Sequence, residues 1–124
     1  IGNPPMNIIR GRIENDSDKS VLVVGGSRIP LSEELGRAAA GAAEVDFGIR
    51  PEDLRLDEAD GGVAATVQGI QFLGSEHLVD LDLGGPHLLA RIDGHGEYEI
   101  DQPCRVAVDL SRGHLFHPET GDRL

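Results

Sequence analysis

Five histidines, one cysteine and a close pair of aspartates are the side chains that could do chemistry in this sequence. His114 and His117 stand three apart, His95 lies between two glycines, and His77 and His87 are separate from both. Zinc asks for three or four converging ligands, usually with thiolates or carboxylates among them. Nothing in this spacing fixes such convergence, so the histidines read as solvated loop and strand-end residues and no metal is expected. Asp80 and Asp82 share the polar face of one strand. Acid–base work would need burial or mutual proximity to split their pKa values, and opposite three inward aliphatics they read as a solvated face. Cys104 is alone, so no internal disulfide can form, which suits a reducing cytoplasm. With no activating base nearby, it reads as a small buried residue beside Pro103.

The short motifs that resemble catalytic or phosphate-binding elements all fail on a required residue. Gly25-Gly26-Ser27-Arg28 is followed by Ile29, where a nucleophile elbow needs glycine. Asp18-Lys19-Ser20 carries the Lys-Ser of a phosphate loop without its glycines. The run from Glu14 to Lys19 lacks the sixth-position glycine and the closing glutamate of a calcium loop. This stretch of chain is therefore expected to be non-catalytic, with no cofactor of its own and no ATP binding.

The totals exclude further classes. Asp and Glu outnumber Lys and Arg by 22 to 11, a net charge of −11 at pH 7. Such a surface repels phosphate backbones and anionic headgroups, so no nucleic-acid partner is expected. Phe47, Phe72, Phe116 and Tyr98 are the only aromatic residues, too few for stacking platforms. No apolar run is long enough for a membrane span or a signal peptide, and no membrane insertion is expected. At 124 residues the chain can bury one sizeable core. It opens on Ile1-Gly2-Asn3-Pro4-Pro5 without an initiator Met, which reads as a linker (residues 1–7) and as a piece of a longer protein.

The elements that would position these residues are short strands between glycine-rich turns. Strands are expected at Asn7–Glu14, weakened by Gly11, then at Ser20–Val24 and Arg28–Leu31 about a Gly25-Gly26-Ser27 turn. Ser32 can cap a short helix with Glu33 and Glu34 in its first turn and Gly41 to stop it. Val45, Phe47 and Ile49 alternate with polar residues, Pro51 turns the chain, and Leu54 and Leu56 resume the alternation. Residues 57–62 form an acidic, glycine-ended loop and the best internal boundary. Val63–Phe72 changes phase at Gly69, as a bulge would. His77–Leu83 points Val79, Leu81 and Leu83 inward, its partner strand carries Leu88, Ala90 and Ile92, and Arg105–Leu110 alternates again. Pro118–Gly121 suits a turn closed by a left-handed glycine. Regular short strands of this kind mean an all-β barrel or sandwich.

Four stretches carry a family resemblance. Ile1 to Asn7 (IGNPPMN), Phe47 to Asp53 (FGIRPED), Phe72 to Glu76 (FLGSE) and Leu115 to Gly121 (LFHPETG) resemble, in order and spacing, the C-terminal regulatory domain of ATP-binding subunits of sugar importers of the ABC type. The matching positions are Gly48, Ile49, Arg50, Pro51, Glu52, Phe72, Leu73, Gly74, Phe116, Pro118 and Gly121. The resemblance implies an OB-like (TOBE) β-barrel with one short helix over residues 8–124, and a missing N-terminal domain that would hold ATP and Mg. It further implies pairing with a second copy, contact with the transporter's membrane subunits through that missing domain, and in some members a regulatory protein. Its place would be the cytoplasm, peripheral to the inner membrane. The matching positions are structural, so no binding residues carry over. Leu31–Ala43 is the least family-like region. The alternative is a barrel that binds a small ligand, an oxyanion such as molybdate or a sugar, against which the acidic balance and the single lysine argue.

Overall fold

A computed structural model describes residues 5–56, 62–93 and 97–124. Among the described residues, ten strands form two five-stranded antiparallel sheets. The first contains β1 (Asn7–Asp16), β2 (Lys19–Val24), β3 (Ser27–Pro30), β4 (Glu44–Ile49) and β10 (His114–Phe116), in the order β10-β4-β1-β2-β3. The second contains β5 (Leu54–Leu56), β6 (Val63–Leu73), β7 (Glu76–Asp82), β8 (His87–Asp93) and β9 (Pro103–Val108), in the order β5-β9-β6-β7-β8. One six-residue helix, α1 (Glu33–Ala38), joins β3 to β4. The expected all-β architecture of an OB-like fold with a short helix is what the chain adopts.

One core joins the two sheets, built from Leu22, Val24, Phe47, Ile49, Val67, Val79, Leu81, Ala90 and Val106 among others. These are the inward positions of the alternating runs, because successive strand side chains point to opposite faces. Phe47 is the largest fully buried side chain, and each such burial contributes about 1.5–3 kcal/mol. The helix begins where the sequence places it: Ser32 Oγ accepts a 3.2 Å bond from the Leu35 N–H. Leu35 and Ala39 join the core, and Gly41 leaves the helical region at φ +82°. Between β4 and β5, Pro51–Asp53 is a 3-10 turn, with Arg50 held extended and Pro51 buried.

Several expectations change on contact with the fold. Gly11 does not weaken β1. A Cβ there would lie 2.6 Å from Leu22 Cδ1 and 2.8 Å from the Val23 carbonyl oxygen, so glycine lets β1 and β2 close up. The strand continues to Asp16 and returns at Lys19 through a two-residue turn, with Ser17 at φ +58°. The predicted bulge is present: the β6–β7 register shifts between Val67 and Gly69. Leu78, on the polar face of β7 by alternation, is buried nonetheless. The expected strand Arg105–Leu110 runs instead from Pro103 to Val108, and Leu110 opens a 3-10 turn capped by Asp109. Asn7, where the expected linker meets the expected first strand, opens β1 and ties the sheets together. Its side-chain amide donates to the Leu89 carbonyl at 2.9 Å, and its oxygen accepts from the Leu89 N–H at 2.8 Å. That pair imitates a ladder rung on the open edge of β8. Residues 1–4 of the expected linker and 57–61 of the expected internal boundary lie outside the described residues.

Candidate functional site

The residues with chemical potential are dispersed. Asp80 and Asp82 on β7 meet His87 at the start of β8, because the strands pair with Asp82 opposite His87. His87 Nδ1 lies 2.8 Å from Asp80 Oδ1, and its Nε2 lies 4.0 Å from Asp82 Oδ1. The hydrogen bond to Asp80 raises the imidazole pKa. Asp82 caps the following turn, where its Oδ1 accepts from the Gly85 N–H at 2.8 Å and the Gly84 N–H at 2.9 Å. Those two bonds, Gly85 first, hold its pKa down. The solvated pair of aspartates is thus a small structural cluster at the surface, a cross-strand contact that strand spacing alone did not reveal.

The other histidines serve turns and rings. His117 Nδ1 accepts from the Glu119 and Thr120 N–H groups at 3.2 and 3.3 Å, which shapes the Pro118–Gly121 turn. His77 stands edge-on to Phe72 with ring centroids 4.7 Å apart, and His114 neighbours Phe116 at 6.3 Å. His95 lies outside the described residues. Among the described residues no three His, Cys, Asp or Glu side chains converge to hold a metal.

A cleft of about 590 Å³ opens where the β2–β3 turn meets the second sheet, lined in part by Ser27, Thr66, Asp82, Pro103, Cys104 and Arg105. Ser27, the buried polar residue here, donates to the Ala64 carbonyl at 3.3 Å. Arg105 Nη2 donates to the Gly62 carbonyl at 2.8 Å. Backbone N–H pairs at a glycine turn are the usual cradle for an oxyanion. Here the Gly84 and Gly85 N–H groups are already occupied by a carboxylate of the same chain, and that carboxylate would repel an incoming anion.

Among the described residues two apolar surfaces carry the family-like positions, which sort between them. On the outer face of the first sheet, Met6, Ile8 and Phe116 converge over Gly48. A Cβ at Gly48 would lie 2.6 Å from Met6 Sδ, 2.8 Å from Phe116 Cε2 and 3.2 Å from Ile8 Cδ1. Three of the four family-like stretches therefore meet at one spot, and Ile8 remains 53% exposed there. The neighbouring Arg10 is paired. Arg10 Nε lies 3.0 Å from Asp46 Oδ1 and 3.8 Å from Glu44 Oε1, and its Nη2 donates to the Pro118 carbonyl at 3.0 Å. Arg12 and Arg28 both meet Glu14, at 3.4 and 2.9 Å. Of the other signature residues on this side, Ile49 and Pro51 are buried, Arg50 and Glu52 are exposed, and Gly121 takes φ +78° in the terminal turn.

The fourth stretch lies elsewhere. Phe72, Leu73 and Gly74 form the tip of the β6–β7 hairpin, with Gly74 at φ +63°. Phe72 continues the inward phase of Ile70, yet it is 69% exposed and Leu73 is 36% exposed. The strands run past the core, so the inner face opens to solvent at their ends.

Comparison with known proteins gives the family. A family model described as the TOBE domain matches residues 47–116, more than half of the chain. The chain belongs to the TOBE domain family. A second model, the MalK OB fold domain, matches residues 2–54, so the FGIRPED stretch falls in both. Among curated relatives, the sn-glycerol-3-phosphate import ATP-binding protein UgpC of Salmonella choleraesuis is 33% identical over 125 residues, covering 100% of this chain and 34% of that protein. The oligosaccharides import ATP-binding protein MsmX of Bacillus subtilis is 30% identical over 134 residues, covering 100% of this chain and 36% of its own. This TOBE domain thus spans about a third of the length of the relatives it matches. A solved structure of the cytoplasmic molybdate-binding protein ModG shares the fold, with a TM-score of 0.67 at 16% identity over 90% of this chain and 96% of that one.

Proposed function

We propose that this TOBE domain is a non-catalytic regulatory and pairing module of the ATP-binding subunit of a sugar ABC importer, supporting ATP-driven carbohydrate uptake. The observation that carries the reading is the match of the whole chain to about a third of import ATP-binding proteins. In this reading ATP and Mg belong to a separate ATPase domain of the parent protein, which also meets the membrane subunits. The assembly works at the cytoplasmic side of the inner membrane. Residues 1–7 lead in from that domain and residues 8–124 form the regulatory unit. The signature residues act by holding the fold.

The second copy pairs through the outer face of the first sheet, at Ile8, Met6 and Phe116. A two-fold contact sets one patch against itself, and a patch whose arginines and carboxylates are both present can be self-complementary. Sedimentation of the chain tests this: a mass that rises with concentration and falls back to one protomer in Ile8→Asp supports it, and an unchanged profile in that variant rejects the face. For the parent, sequencing upstream of Ile1 should reveal a phosphate-loop motif in the same frame, and a start codon immediately before Ile1 would remove the importer reading.

The likeness to a molybdate-binding protein favours an oxyanion site as the second reading. The occupied Gly84–Gly85 turn and the acidic surface weigh against it. Titration calorimetry with molybdate is expected to show no heat of binding, and tight binding would put this second reading first.

A further inference from the structure

The hairpin tip differs from the pairing face in charge as well as in exposure. From Gly62 through Gln102 the sequence has seven acidic residues and a single Lys or Arg, namely Arg91. Arg91 Nε is tied to Glu76 Oε2 at 3.0 Å. Asp93, Glu97, Glu99 and Asp101 are all exposed. Asp93 ends β8, and Asp101 lies against β6, where its N–H donates to the Val67 carbonyl at 2.8 Å and the Val67 N–H donates to the Gln102 carbonyl at 2.9 Å. Ile100, 55% exposed, is held beside the β6 bulge by the same bonds. At the base of the apolar tip Glu76 stands opposite Asp93, so the described surface there is acidic on balance.

We propose that the β6–β7 hairpin tip, with Phe72 as its anchor, Glu76 and Asp93 at its base and Glu99 and Asp101 farther along β6, docks a cationic amphipathic segment of a partner protein. An exposed aromatic rimmed by charge is the usual composition of a binding hot spot. The sign of the rim chooses the occupant. A second copy seated here by a two-fold axis would bring the acidic segments face to face. Anionic lipid is repelled for the same reason. A segment with apolar residues on one helical face and Lys or Arg on the other satisfies both halves of the surface, and complementary charge raises its rate of encounter. The surface lies on the second sheet, apart from the Gly48 cluster, and does not depend on pairing.

The test uses the whole chain and a labelled synthetic amphipathic Lys/Leu helix, with a Glu/Leu helix of the same pattern as control, read by fluorescence anisotropy and by amide chemical shifts. The Lys/Leu helix should bind, shift amides of β6, β7 and residues 97–102, and weaken as salt rises. Phe72→Ser should reduce its affinity about tenfold or more. Phe72 is exposed, so this variant keeps the fold, which its amide spectrum checks. Glu99→Lys, a surface change that leaves the apolar tip intact, should also weaken binding, and Ile8→Ser on the other sheet should not. Undiminished affinity in Phe72→Ser overturns the proposal, as does equal binding of the Glu/Leu helix or shifts spread evenly over the acidic surface. Loss of self-association in Phe72→Ser would assign the tip to a second copy and overturn it too.

Discussion

The outer face around Gly48 and the tip of the β6–β7 hairpin are both apolar surfaces built from family-like residues, but they are made in opposite ways. At Gly48 the absence of a side chain lets Met6, Ile8 and Phe116 settle onto the sheet, and the neighbouring Arg10 is paired with Asp46. At the tip the core's inward pattern simply runs out past the body, leaving Phe72 exposed except for His77 edge-on to it. A flat surface with both charge signs suits a copy of itself. A protruding aromatic with an acidic base suits something different and basic.

The comparison can be broken at its foundation. Phe47→Ala removes the ring that underlies β4 and should cost about 3–5 kcal/mol, measured by urea unfolding, with loss of both surfaces together. Gly48→Val is more selective. Its side chain would enter the space of Met6 and Phe116, costing about 1–3 kcal/mol in the same assay and abolishing pairing while the Lys/Leu helix still binds. Asn7→Ala removes two hydrogen bonds to Leu89 and should cost about 1–2 kcal/mol, with faster amide exchange along β8. Phe72→Ser should leave stability within about 0.5 kcal/mol of the wild type and remove only docking.

The smallest effects are those of pH. The folded-state pKa of His87 is raised by its bond to Asp80, so its contribution is complete below the ordinary imidazole value and is lost as pH rises through the folded value. His87→Gln should therefore lower the melting temperature slightly in acid and not in alkali. Asp82 has the opposite sign. Its depressed pKa gives a contribution present above the ordinary carboxylate value and lost as pH falls through the folded one, so Asp82→Ala should matter at neutral pH and fade in strong acid.

Much of the fold was legible because it is local. The alternation of Val45, Phe47 and Ile49, the Ser32 cap, the phase change at Gly69 and the left-handed Gly121 each follow from a few consecutive residues. The surfaces were not legible, since they depend on which strands lie side by side. Gly11 reads as a weak strand residue until β2 is laid against it, and Gly48 reads only as a position between two inward strand residues until Met6 and Phe116 arrive from the two ends of the chain. Phe72 obeys the inward phase. Its exposure follows from how far the strands outrun the core, a length that alternation does not encode. The contact of His87 with Asp80 needed the β7–β8 register.

Sedimentation equilibrium of the wild type, Ile8→Asp and Phe72→Ser side by side tests the division most directly. The wild type and Phe72→Ser should show a mass that rises with concentration, and Ile8→Asp the mass of a single protomer. A wild type that stays a single protomer at every concentration, or pairing that survives Ile8→Asp and disappears in Phe72→Ser, would contradict it.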